Sequence, residues 1–147
     1  MAIWAWVLEA YGRPGVAQAA LDLQDRHGQN TSFLLWAVHA EAGDPALLGR
    51  AAAAARAWDM TALTPLREVR RALKPALPPF DDQAREALRA EVKALELAAE
   101  RLLMETLEAM APRAGGAPAL EALDAASAAW GRPAPREALA ALAAALG

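Results

Sequence analysis

Apolar residues, mostly Ala and Leu, fall in blocks of helical length separated by Gly, Pro and short polar stretches, while Val and Ile are scarce. Such blocks favour helices over strands both by propensity and by side-chain packing, so the chain reads as all-α. The pattern predicts helices over Ala2 to Ala10, Pro14 to His27, Ser32 to Ala42, Pro45 to Trp58, Leu63 to Lys74, Asp82 to Met110, Ala119 to Trp130 and Pro135 to Leu146. Asp44-Pro45 joins an N-cap acceptor to a proline whose missing N–H is harmless in a first turn, and Asp81 or Asp82 can cap the long sixth helix. Gly12, Gly28 and Gly43 stand where a last helical turn can end in the left-handed conformation, and Pro75, Pro78 and Pro79 must end the fifth helix.

Two blocks mark the expected centre. Phe33, Leu34, Leu35, Trp36, Ala37, Val38 and Ala40 cover every side of the third helix, and a helix that is apolar all round belongs inside a packed array. In the sixth helix Leu88, Val92, Leu95, Ala99, Leu102 and Met110 keep one apolar stripe, with Leu97 and Met104 on a second, smaller side, so contacts on two sides are expected. The predicted organisation is a compact multi-helix core domain over residues 1–110, a linker over 111–118, and a short C-terminal helical extension over 119–147 docked on the core. Leu120, Leu123, Trp130, Leu139, Leu142 and Leu146 are that extension's few large side chains, so truncation after Met110 is expected to leave a folded core.

At 147 residues one hydrophobic core is feasible. The 15 basic and 18 acidic residues give a net charge of -3, which lends no global support to nonspecific binding of nucleic acid or anionic membranes. The absence of Cys excludes disulfides, thiolate nucleophiles, thiolate zinc sites and cysteine-ligated iron–sulfur clusters. No uncharged apolar stretch reaches the roughly 20 residues that cross a bilayer, and the first residues lack the basic start of a signal peptide, so a cytoplasmic location is the default expectation.

Trp6 and Tyr11, Leu21-Asp-Leu-Gln-Asp25 with Gly28 and Asn30, Leu34-Leu35, Trp58, Leu66-Arg67 with Arg70-Arg71-Ala-Leu-Lys74, and Glu96-Leu-Ala-Ala-Glu-Arg101 stand in a particular order and spacing. Together they resemble the bacterial helical family known as domain of unknown function 2390, over about Ala2 to Met110. The resemblance implies a helical fold and brings no chemistry, substrate or cofactor with it.

Candidate chemistry is sparse. Arg67, Arg70, Arg71 and Lys74 fall within about 100° of one another on a helical period, with Leu66, Val69 and Leu73 opposite, so one face is basic and its reverse can pack. Such an arc suits an acidic protein partner or a small anion, whereas the lack of interleaved aromatic residues argues against nucleic acid. Trp6 diverges from Trp4 by about 200° on the first helix and is a candidate partner anchor. Glu96 and Glu100 stand one turn apart and, with Asp22, Asp25, His27 or His39, could supply acid/base groups to an enzyme. Both histidines nonetheless share wheel positions with apolar residues, and no His/carboxylate spacing has metal-ligand form, so no metal and no cofactor is expected. Ser32 and Ser127 lie in no nucleophile elbow, and no phosphate-cradling glycine loop is present.

The expected function is a non-enzymatic helical interaction or regulatory module, using the basic arc from Arg67 to Lys74 and Trp6 to bind an acidic protein. The alternatives are a small-molecule enzyme or anion-binding protein built on the carboxylates and a histidine in an interhelical cleft, and a structural homo-oligomerisation domain.

Overall fold

Capping chemistry sets where the helices begin. The Asn30 side chain accepts the Phe33 N–H at 2.9 Å, and Asp44 accepts that of Leu47 at 3.1 Å. Asp81, rather than Asp82, caps the long helix by accepting the Ala84 N–H at 2.8 Å. In the computed structural model, which describes residues 1–111 and 115–147, the chain forms α1 (Ile3–Tyr11), α2 (Val16–His27), α3 (Thr31–His39), α4 (Pro45–Trp58), α5 (Thr64–Ala72), α6 (Asp82–Met110), α7 (Ala119–Ala129) and α8 (Arg136–Leu146). No strand occurs among the described residues, and the fold is an all-α, multi-helix arrangement with one long helix. Residues 112–114, within the expected linker, lie outside the described residues.

Two local expectations fail for identifiable reasons. Only Gly28 of the three proposed stop glycines is left-handed, at φ 62°; Gly12 has φ -76°. The left-handed residue after α3 is Glu41, at φ 53°, not Gly43, because Ala42 donates its N–H back to the Ala37 carbonyl at 2.9 Å and wraps the helix end. The break expected between Trp58 and Leu63 is instead a π-helical turn, Asp59–Leu63, that keeps the chain helical from α4 into α5. Pro65 has no N–H to offer the Thr61 carbonyl, and a widened turn accommodates the gap in the ladder. The Thr64 hydroxyl closes this turn by donating to the Asp59 carboxylate at 3.2 Å.

Helix α3 is the centre. Phe33, Leu34, Leu35, Trp36 and Ala37 are completely buried, and α1, α2, α4, α6 and α7 surround them. The Phe33 ring stacks on Trp36 and tilts against Trp130, each at 5.9 Å between centroids. Helix α7 lies against α3 and α4, and α8 lies against α2 and α7. Leu123, Leu139 and Leu142 are fully buried despite the small number of large side chains here, because Ala51, Ala52 and Ala55 on α4 and Ala126 on α7 let helix backbones approach closely.

A buried polar node fastens this end of the molecule. Gln29 donates to the Arg132 carbonyl at 2.6 Å and to the His27 carbonyl at 3.2 Å, and accepts from the Ser127 hydroxyl at 3.0 Å. Ser127 in turn accepts the Ala134 N–H at 2.8 Å. The indole of Trp130 donates to the Gly28 carbonyl at 3.0 Å, with the Arg56 guanidinium 5.2 Å over its ring.

The long helix α6 uses its apolar residues differently from the expected packing of a main stripe and a second, smaller side. Val92, Ala99, Leu103, Met104 and Leu107 enter the core, whereas Leu88, Leu95, Leu102 and Leu97 remain about half exposed. A helix has only one arc turned toward the body, and the neighbours of α6 occupy the side of Val92, Ala99 and Leu103.

Candidate functional site

Helices α5 and α6 run side by side after the Pro-rich turn, and the pair has two unlike flanks. The first is polar and faces α2. Arg70 places its Nε 2.6 Å from Glu96, and the Arg67 Nε lies 3.6 Å from the other oxygen of the same carboxylate. Glu96 is only 8% exposed, so this is a shielded ion pair rather than a solvated one. Arg67 also donates to the Gln24 side chain at 3.4 Å, and Arg71 reaches Asp25 on α2 at 3.4 Å. Lys74 is exposed beyond the end of α5.

The arc therefore divides. Arg67 and Arg70 are turned inward and engaged by Glu96, while Arg71 and Lys74 are the members open to solvent. On the reverse side of α5, where packing was expected, Leu66 and Leu73 are half-buried but Val69 is exposed. Glu96 on α6 holds Arg67 and Arg70, Asp25 on α2 holds Arg71, and of the apolar side only Val69 is left in the open.

Glu100 lies one turn beyond Glu96, half-buried. Burial pushes its carboxyl from the ordinary 4.5 up to about 7; the charge of Glu96 pushes the same way, and Arg67 and Arg70 pull against both. The Tyr11 phenol is likewise pushed up, first by burial and then by the charge of Glu100, against the Thr31 hydroxyl. A shallow groove of about 330 Å³ over the pair is lined by Gln24, Arg70, Lys93, Glu96, Leu97 and Glu100, with no histidine in its wall.

The histidines sit elsewhere. His27 has Asp22 as its carboxylate neighbour, at 3.8 Å, and Asp22 also pairs with Arg26 at 3.3 Å. His39 bonds the Met1 carbonyl at 2.9 Å through Nε2, and the half-buried Trp6 ring tilts against it at 5.3 Å. The structure thus brings Arg67 and Arg70 to Glu96, and Arg71 to Asp25, but gathers neither histidine into the carboxylate pair. No group of three or more His, Cys, Asp or Glu able to hold a metal ion occurs among the described residues, and none of their helices is long and apolar enough to cross a membrane.

The second flank of the α5–α6 pair is apolar and open. Ala72, Leu73, Leu77, Phe80, Ala84 and Leu88 line most of a groove of about 330 Å³, and Phe80 is 70% exposed. The track continues along α6 through Leu95 to Leu102, which borders a second hollow of about 300 Å³ with Ala54, Ala57, Trp58 and Thr61. The Trp58 indole donates to the Ala99 carbonyl at 2.9 Å and fixes the floor of this hollow. Sequence reasoning placed Leu88, Leu95 and Leu102 in the core; their seven-residue spacing was the available sign of a separate seam. Tyr11 and Thr31 beside Glu100 had no sequence signal, because contact between α1, α3 and α6 decides their proximity.

Residues 2–107 match the family model described as Protein of unknown function (DUF2390). The chain belongs to that family, of which α1 to α6 form the matched part. No curated protein and no solved structure matches it.

Proposed function

We propose that this member of the DUF2390 family is a non-enzymatic helical interaction module, docking a partner on the apolar flank of its α5–α6 pair. The observation that carries this reading is the exposed apolar side of that pair: Arg67 and Arg70 turn in to Glu96, while Val69, Leu77, Phe80, Leu88, Leu95 and Leu102 are open to solvent. A row of exposed apolar side chains with a hollow at each end suits a helix laid along it. A photo-crosslinking residue in place of Leu88 should give discrete adducts in cells, and one in place of the exposed Leu21 on α2 should not. Those adducts should disappear when Leu95→Glu is added without change in helical content; equal adducts from both positions would sink the reading.

An acidic protein partner is a second reading, and the exposure of Arg71 and Lys74 favours it. Its contacts would be those two cations, because Arg67 and Arg70 already serve Glu96. Binding of an acidic partner should weaken with salt and fall further in Arg71→Glu with Lys74→Glu than in the corresponding Gln pair. Indifference to both charge series would leave the apolar flank alone.

A further inference from the structure

We infer that the groove over Glu96 and Glu100 is a binding site for a small aliphatic carboxylate, held between the Arg70 guanidinium and the Lys93 ammonium. The site lies on the polar flank of the α5–α6 pair and does not depend on the apolar docking face.

Donors outnumber acceptors around this groove. Arg70 commits its Nε and Nη2 to Glu96, at 2.6 and 3.4 Å, and its Nη1 has no acceptor among the described residues. Lys93, in the same wall, is exposed and has no partner among them either. Behind Glu96 the Arg67 Nε–H is buried without a hydrogen bond. The Gln24 amide nitrogen on the opposite wall reaches only Asp25, at 3.5 Å. Glu100 does not answer these donors, because it stands two turns along the helix from Lys93, about 10 Å away, and makes no hydrogen bond itself. Three cations therefore surround the single carboxylate of Glu96, which two of them already share. A monoanion with two acceptor oxygens meets the surplus, one oxygen on Arg70 Nη1 and the other on Lys93 Nζ. Its alkyl body lies against Leu97, the apolar side chain of the wall, and about 330 Å³ leaves room for a short chain.

Glu100 makes the site respond to pH. The charged and titratable groups facing its carboxyl are Tyr11 on α1, Arg67 and Arg70 on α5 and Glu96 on α6, while α2 presents the neutral Gln24 and α3 the neutral Thr31 beside Tyr11. Its carboxyl titrates at about 7, so it is uncharged in mild acid and repels a bound anion once ionised; affinity for the carboxylate falls as pH rises through that value.

Sodium butyrate titrated into the full chain at pH 6 and followed by ¹H–¹⁵N NMR should give saturable shifts at the Gln24 side-chain amide and the Leu97 N–H. Affinity should fall about tenfold between pH 6 and pH 8, and Glu100→Gln, uncharged throughout, should bind with no such dependence. Lys93→Ala, at an exposed position without a partner, should keep the wild-type Tm and lose about fivefold or more in affinity. Butylamine, with the same chain and the opposite charge, should leave the spectra unchanged. The absence of localised shifts with butyrate at pH 6, undiminished affinity in Lys93→Ala, or tighter binding at pH 8 than at pH 6 overturns the inference. Inorganic phosphate binding as tightly as butyrate overturns the assignment to an aliphatic carboxylate.

Discussion

Replacing Glu100 with Gln should stabilise the fold above neutral pH and change little in acid. In the folded chain, burial and the neighbouring charge of Glu96 lift this carboxyl from 4.5 to about 7, so the fold prefers its protonated form. The unfolded chain releases the proton at the ordinary value. Across that window the folded state binds the extra proton, and stability therefore falls as pH rises from 4.5 to about 7, then levels off with the carboxylate fully formed. The separation between the two values corresponds to about 3 kcal/mol. Gln fills nearly the same volume and cannot ionise, so at about pH 8 the variant should exceed the wild type by up to about 3 kcal/mol, or roughly 6–12 °C in Tm for a chain of this size. Near pH 4.5 the two should coincide. Urea denaturation at a series of pH values measures the difference directly. The single tyrosine supplies a local readout: without the Glu100 charge, the Tyr11 phenol should titrate closer to its ordinary value of 10, as followed by phenolate absorbance. Parallel pH–stability curves for the two proteins, with an unmoved Tyr11 titration, would refute this account of the Glu96–Glu100 cluster.

Arg70→Ala should cost about 3–5 kcal/mol by stripping the nearer cation from the shielded Glu96, and adding Glu96→Gln should recover part of the loss. Equal denaturation midpoints for the single and double variants would show that the ion pair is not what Arg70 supplies. Ser127→Ala should lower stability by about 1–3 kcal/mol, since it leaves Gln29 without a donor and the Ala134 N–H without its acceptor in a buried node; thermal melting checks this. Truncation after Met110 should abolish cooperative melting, because α7 and α8 cover α2, α3 and α4 with fully buried leucines. A sharp transition retained by residues 1–110 would mean that those helices are an appendage.

Composition and punctuation determined a good deal of this protein. Ala/Leu blocks of helical length, the caps at Asp44 and Asp81, and the all-round apolar Phe33 to Val38 segment were enough for the all-α class, most of the helices and the central place of α3. These are local properties, in which propensity, capping and period act within a few turns of chain. The sequence also marked Arg67, Arg70, Arg71 and Lys74 as one arc, which the structure divides between two arginines turned to Glu96 and two exposed cations.

Which way that face turns was not a local matter. A helical period separates charged from apolar sides but carries no sign saying which side meets the body, and Glu96 lies 26 residues beyond its partner Arg70. Only the packing of α5 against α6, with side-chain contacts to α2, decided that two arginines point inward and that Val69, Leu88, Leu95 and Leu102 remain outside. The Glu100–Tyr11 proximity and the Gln29–Ser127 bond across 98 residues have the same origin. Each depends on helices distant in sequence coming together, and burial then sets the strength of the charges and hydrogen bonds they bring.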